Sequence, residues 1–342
     1  MMRSCLMLVL LCIGRSATAA TELDVEGARF TVNGKPTFLL GMSYYGALGA
    51  SREFIQQDLD DMRKVRINWI RVFATWGAFG NDVSAIDQHG QLLQPHFDHL
   101  KWLIAECDRR GMIVDVTLAL PRAGGEVLIV GPVTLDDYRR AAVLLATELK
   151  PFRNWYLDLA NENNSLGHRE RKNSFAFKDL NELRNAVKKV DPGRLVTVSY
   201  AGNDATEEDL RHFLREVNVD FVTPHRLRRS GSPEQTAEVT RNMLATMKRI
   251  GRVVPVHYQE PLRRGFRHEW WIPKAEDFVT DLRGAIAGGA AGWCFHNGDN
   301  RASDADDGEP RRSFDMRKRR LFEQFDEEER KVVQAFRGVM TR

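Results

Sequence analysis

Trp155-Tyr-Leu-Asp-Leu-Ala-Asn161-Glu162-Asn163 reads as a short β-strand ending on an acid, and Val254-Pro-Val-His-Tyr-Gln-Glu260-Pro261 repeats the pattern later in the chain. A carboxylate just past the C-terminal end of a strand sits where parallel α/β proteins gather their reactive groups. The strand fixes the backbone and the following loop leaves the side chain accessible. Two such acids can divide the work on one sugar-sized substrate: one protonates a departing oxygen while the other, about 5–5.5 Å away, attacks the anomeric carbon.

Outward from these two runs, short β-rich segments alternate with amphipathic stretches. The candidate strands are Phe38–Ser43, Trp69–Phe73, Ile113–Leu118, Trp155–Leu159, Leu195–Ser199, Asp220–Thr223, Val253–His257 and Gly292–Phe295. Alternation of this kind indicates a parallel sheet with crossover helices, and eight strands close a (β/α)8 barrel. The intervening segments carry helix punctuation. Phe97, Leu100, Ile104 and Cys107 recur at helical spacing before Gly111, Thr206-Glu-Glu-Asp209 opens a helix, and Ser232-Pro233-Glu234 predicts an N-cap followed by a first-turn proline. Ahead of the first strand, Ala28-Arg-Phe-Thr-Val-Asn33-Gly34-Lys-Pro36 predicts a β-hairpin with Asn-Gly at its turn, covering the bottom of the barrel.

The 342 residues fit one such barrel after a leader. Residues 1–19 read as a signal peptide: Arg3 precedes the apolar stretch Cys5–Gly14, and Ala17-Thr-Ala19 supplies small residues for cleavage. That stretch is too short to span a bilayer. The expected organisation is therefore a signal peptide over 1–19 and a single (β/α)8 catalytic domain over 20–342. The product is expected to be exported, extracellular or periplasmic, with no stable membrane insertion after cleavage. A net charge of +3, lower still without Arg3 and Arg15, advertises no nucleic acid partner. Cys107 and Cys294 are expected as buried free thiols, so the fold relies on its core. The acid-rich stretch 299–309 misses calcium-loop spacing and reads as a solvated loop.

The order of these motifs resembles, over nearly the whole mature chain, that of the clan A retaining glycoside hydrolases, especially the cellulase family, glycoside hydrolase family 5. The resemblance matches Asn161-Glu162 to the Asn-Glu pair ending the fourth strand, implying Glu162 as acid/base and Asn161 as a partner of the sugar 2-hydroxyl. It matches Glu260 to the glutamate ending the seventh strand, implying the nucleophile. Arg71 on the second strand, His225 after the sixth and Trp293 on the eighth match further family positions. What the resemblance implies is hydrolysis of a β-linked polysaccharide or oligosaccharide, of β-glucan or mannan type, by a two-glutamate double displacement without a cofactor. The sugar, its linkage and the oligomeric state are not encoded in these motifs.

Physical reasons accompany each match. Arg71 beside Glu260 would hold that carboxylate ionised. Glu162, facing a charged Glu260, should stay protonated to higher pH. Trp293 offers an apolar platform for a sugar face. Of the aromatics after the first, second and seventh strands, Tyr44 and Trp76 are the candidates to line sugar subsites. The chain departs from the family pattern in two places: Thr117-Leu-Ala-Leu-Pro121 has no histidine, and His225-Arg226-Leu227 lacks the tyrosine that contacts the nucleophile. Tyr258 is the expected substitute.

Two rival functions use the same residues. A carbohydrate-binding pseudoenzyme would keep the cleft but lose turnover through the altered surroundings of Glu260. A metal-dependent barrel enzyme would bind a divalent cation through Glu162, His225, His257 and Glu260, against the charge of Arg71.

Overall fold

The computed structural model describes residues 20–119, 131–164, 174–201, 205–264, 271–298 and 314–340. Residues 1–19, Trp270 and the 299–309 stretch lie outside the described residues. Eight barrel strands follow in chain order: β1 (Leu39–Ser43), β2 (Trp69–Phe73), β3 (Ile113–Ala119), β4 (Trp155–Asn161), β5 (Val196–Thr197, continued as Ser199–Tyr200), β6 (Thr223–Pro224), β7 (His257–Tyr258) and β8 (Gly292–Phe295). All adjacent pairs are parallel, with registers such as Gly41↔Trp69, Trp69↔Ile113, Val114↔Trp155 and Val196↔Leu157. Ser199↔Thr223 and the Val222↔Val256 bridge continue the ring, and His257↔Gly292 and Gly292↔Leu39 close it.

The expected strands are all present, but β5, β6 and β7 are shorter than their β-rich runs. Pro255 has no N–H to donate, so β7 contributes only its carbonyl there, to Val222 N at 3.0 Å.

The crossovers are α1 (Arg52–Lys64), α2 (His96–Arg109), α3 (Leu135–Glu148), α4 (Phe177–Val190), α5 (Glu207–Arg211), α6 (Ser232–Ile250), α7 (Ala275–Gly288) and α8 (Glu327–Met340). Thr206 caps α5 as predicted, accepting from Asp209 N. Helix α6 starts one residue earlier than the punctuation suggests: Gly231 at φ 78° takes the cap, and the Ser232 hydroxyl turns back to the Arg229 carbonyl. Gly111, at φ 67°, follows α2 as expected.

Side chains alternate along each strand, and this divides the core in two. Leu40, Met42, Ile70, Val72, Val114, Val116, Leu157 and Leu159 face the helices in one large cluster. Leu39, Trp69, Ile113, Tyr156, Phe221 and Cys294 fill the barrel interior in a second. Full burial of each such aliphatic or aromatic chain contributes about 1.5–3 kcal/mol. Gly41 is required here, because a Cβ would lie 1.5 Å from Trp69 Cε3.

The predicted hairpin is part of a three-stranded antiparallel sheet, Leu23–Glu26, Arg29–Val32 and Lys35–Thr37, whose turn places Asn33 and Gly34 at φ 52° and 72°. Phe30 plugs the barrel floor against Phe221 and His257. The described cysteines, Cys107 and Cys294, are buried and free, as expected.

Candidate active site

The interior becomes polar above the Trp69–Tyr156 layer. Arg71, an inward residue of β2, is fully buried and has a full set of acceptors. Its Nη1 contacts Glu260 Oε1 directly, Nη2 reaches Asn161 Oδ1 at 2.8 Å and Asp158 Oδ2 at 3.1 Å, and Nε lies 3.1 Å from Asp115 Oδ2. A guanidinium can serve this many partners because its donors are fixed in a plane. Asp115 is held in turn by Thr117 Oγ1 at 2.9 Å, Tyr156 Oη at 3.1 Å and Gln259 Nε2 at 2.6 Å. Asp158 accepts from Ser199 N at 3.0 Å. Arg71 is thereby locked from below while it presents Nη1 to the mouth.

Glu260 follows β7 and is 5% exposed. Tyr45 donates to its Oε1 at 3.0 Å, and Arg228 Nη2 donates to its Oε2 at 2.9 Å. His225 Nδ1 and His296 Nε2 each lie 3.6 Å from Oε2. Burial alone would raise this carboxyl; the surrounding His225, His296, Arg71 and Arg228 outweigh it and hold Glu260 well below the usual carboxylate range. Burial, reinforced by the nearby Arg263, Arg228 and Arg71 and opposed by Glu260, drives His296 well below the ordinary histidine range. The guanidinium groups on Glu260 are those of Arg71 and Arg228, one on each oxygen.

Glu162 occupies the turn after β4 with φ 52°, a left-handed conformation that costs a non-glycine residue of order 1 kcal/mol or more. Neighbours hold it there. Its N–H donates to Ser199 Oγ at 3.1 Å, and Asn163 clamps the Phe175 backbone through two 2.8 Å bonds. His225 Nδ1 stands 2.9 Å from Glu162 Oε1. Burial and the Glu260 charge push the Glu162 carboxyl up, but the His225 hydrogen bond prevails and leaves it below its ordinary value. The sequence expectation of a protonated Glu162 took account of Glu260 and missed the imidazole.

Ligand atoms of Glu162, His225 and Glu260 all lie within 4.8 Å of one another. Two carboxylates this close, on opposite sides of the mouth, match the spacing at which one attacks and the other exchanges a proton, about 5–5.5 Å, rather than the wider gap that admits a water between them. The same three side chains are the one cluster among the described residues with a metal-ligand arrangement. Arg71 and Arg228 already occupy the two Glu260 oxygens, so the donor set does not suit a cation.

Arg71, Asn161, Glu162, His225 and Glu260 thus converge as the sequence indicated. Trp76 is 6% exposed and walls a small open pocket at the mouth with Tyr45, Ser43, Arg263, Asn297 and Phe314. Three candidates belong elsewhere. Tyr44 faces the helices and donates to Asp58 Oδ2 at 2.9 Å; Tyr45, one residue on, takes the mouth position. Tyr258 shares its hydroxyl with Thr240 Oγ1 of α6 at 2.7 Å, so Tyr45, not Tyr258, supplies the tyrosine bond to Glu260. Trp293 donates to Asp281 Oδ2 of α7 at 2.6 Å and packs on Phe336 of α8, so it is no sugar platform. The reason is the same each time: on a strand, adjacent residues face opposite sides. His257 points inward but to Tyr156 Oη at 2.9 Å, below the site. Sequence reading missed Tyr45, Arg228, His296, Asp115 and Asp158; inward parity with Ser43, Arg71, Thr117 and Cys294 was the signal for several of them.

No protein-family model and no curated protein matches the chain. Solved structures do. A glycoside hydrolase family 5 protein from Bacteroides vulgatus is 16% identical with TM-score 0.65, over 89% of this chain and 68% of that one. A family 5 mannosidase from Rhizomucor miehei is 14% identical with TM-score 0.65, over 95% and 98%. An endo-1,4-β-mannanase from the same organism is 12% identical with TM-score 0.63, over 94% and 99%. At these identities the likeness shows the (β/α)8 fold.

Proposed function

We propose that this (β/α)8 barrel is a retaining glycoside hydrolase acting on a β-linked polysaccharide or oligosaccharide of β-glucan or mannan type. The observation that carries the reading is the Glu162–Glu260 pair, within 4.8 Å through their carboxylate oxygens, with Glu260 held ionised by Arg71. The mannanase and mannosidase among the structural neighbours support the substrate class.

In this reading Glu260 attacks the anomeric carbon as the glycosidic C–O bond breaks, and the proton held by the Glu162–His225 pair passes through Glu162 to the leaving oxygen. Water then attacks the anomeric carbon of the glycosyl-enzyme from the face the leaving group vacated, gives its proton to Glu162 and displaces Glu260, so configuration is retained. Arg71 keeps Glu260 charged and aimed throughout, because its other bonds are to the buried Asp115, Asp158 and Asn161. Asn161 lies beside Glu162, where a sugar 2-hydroxyl would be met, and Trp76 offers apolar surface to an adjoining sugar. With the signal-like pattern of residues 1–19, the enzyme is taken to act outside the cytoplasm; no helix among the described residues is long and apolar enough to cross a membrane.

The test is release of reducing sugar from β-glucans, mannans, xylan and aryl β-glycosides, with Glu162→Gln and Glu260→Gln beside the wild type. Activity on one class, lost in both variants, is expected. Tight polysaccharide binding with no turnover on any member would instead identify a binding barrel.

A further inference from the structure

Arg71 occupies one oxygen of Glu260, and a second guanidinium is seated on the other oxygen of that carboxylate. Arg228, in the loop after β6, donates from Nη2 to Glu260 Oε2 at 2.9 Å and to the Glu260 backbone carbonyl at 3.1 Å. Its side chain is 11% exposed, at the rim of the cleft, whereas that of Arg71 is fully buried. Arg228 also acts electrostatically on Glu162, so it stands near both acids, where a sugar ring would enter.

A second fixed cation on this carboxylate, added to Arg71, opposes glycoside cleavage. The anomeric carbon becomes positive in the transition state, and a guanidinium on the attacking carboxylate withdraws the charge that should stabilise it. A neutral sugar leaves Arg228 on Glu260. A sugar carrying its own anion gives Arg228 another acceptor and returns Oε2 to the reaction. Arg263, 5% exposed, lines the adjoining pocket beside Tyr45 and Trp76, so a second guanidinium faces the same mouth.

Building on the glycosidase reading, we propose that the site is specific for an acidic glycan, with Arg228 binding an anionic substituent of the sugar, a C6 carboxylate or a sulfate ester, as a bidentate guanidinium partner.

The test compares kcat/KM on a neutral β-glycan, its C6-oxidised form and its sulfated form, for the wild type, Arg228→Gln and Arg228→Lys, at low and high salt. One charge-assisted bidentate pair should give a preference of about tenfold or more for an anionic form. The oxidised and sulfated arms tell which anion is read. The preference should shrink towards unity in Arg228→Gln, recover partly in Arg228→Lys and weaken with salt. Equal or better cleavage of the neutral glycan, or an unchanged preference in Arg228→Gln, would overturn the proposal; a purely structural Arg228 would lower all rates together. If no glycan is cleaved, the glycosidase reading fails, and calorimetric affinity for the same three glycans still decides the role of Arg228: tighter binding of an anionic form, lost in Arg228→Gln, upholds it, and equal binding rejects it.

Discussion

Tyr45 donates its hydroxyl to Oε1 of Glu260 at 3.0 Å, and the same oxygen of Tyr45 meets His296 Nδ1 at 3.0 Å. The tyrosine thus ties the end of β1 to the end of β7 and the segment after β8, across the top of the barrel. It fills the place that the motif order assigned to Tyr258. Tyr45→Phe should therefore reduce kcat by roughly ten- to hundredfold, the value of a hydrogen bond to a charged group. Tyr258→Phe should leave kcat near the wild type and lower only Tm, through the lost Thr240 partner. Steady-state kinetics and thermal melts on the two variants check both halves.

Glu260 must be ionised to attack, and its surrounding cations hold its carboxyl well below the usual range. The sign follows directly. As pH falls, activity should persist through the ordinary carboxylate range and fail only below it, as Glu260 takes up a proton. Arg228→Gln removes one of those cations, so the acid limb of kcat/KM should move to higher pH. A limb that does not move would show that Arg228 contributes nothing to the charge state.

His225 and Glu162 should share a phenotype. Glu162→Gln should cost about 10²–10⁴-fold on substrates whose leaving group needs a proton. His225→Ala should cost less, in the same direction. Both losses should shrink on aryl glycosides with strongly acidic phenols, which depart without protonation. A plot of log kcat/KM against leaving-group pKa measures this, and both variants should be steeper than the wild type.

Burial raises the Asp115 carboxyl to about 7, against the lowering influence of Arg71 and with the Asp158 charge adding to it. Unfolded, the same group ionises near 3.9. Between those values the folded chain binds a proton that the unfolded chain has lost, so this group makes stability fall as pH rises through the window. Asp115→Asn removes the contribution. Its unfolding free energy relative to the wild type should rise from about pH 4 to about pH 7 in denaturant melts, with a slope of at most about 1.4 kcal/mol per pH unit.

Gly41→Ala tests the barrel packing independently of the chemistry. A methyl group would overlap the Trp69 ring, which His257, itself packed on Phe30, and Tyr156 help to confine. Loss of about 3 kcal/mol or more is expected in a denaturant melt.

The eight strands were legible because each β-rich run sits between helical spacings, and a parallel barrel leaves that alternation in the sequence. Arg71, Asn161, Glu162, His225 and Glu260 were legible because strand ends converge on one rim. The assignments of Tyr44, Tyr258 and Trp293 failed on parity. Leu39, Gly41, Ser43 and Tyr45 share the inner face, so Tyr44 had to face the helices; Trp293 lies between inward Gly292 and Cys294 and faces out for the same reason. Arg228 was not legible at all. It reaches Glu260 from a loop, and loop geometry has no periodicity to read. The charge state of Glu162 was misjudged because it depends on the 2.9 Å contact with His225, which spacing alone does not report.

The central claim is that Glu260 forms a covalent bond to the sugar. Incubation with an activated 2-deoxy-2-fluoro β-glycoside of the preferred sugar, followed by intact-mass and peptide mass spectrometry, measures this directly. A single added glycosyl mass on the peptide containing Glu260, absent in Glu260→Gln, is the predicted result. Binding of the same compound without labelling, or labelling at another residue, would contradict the account.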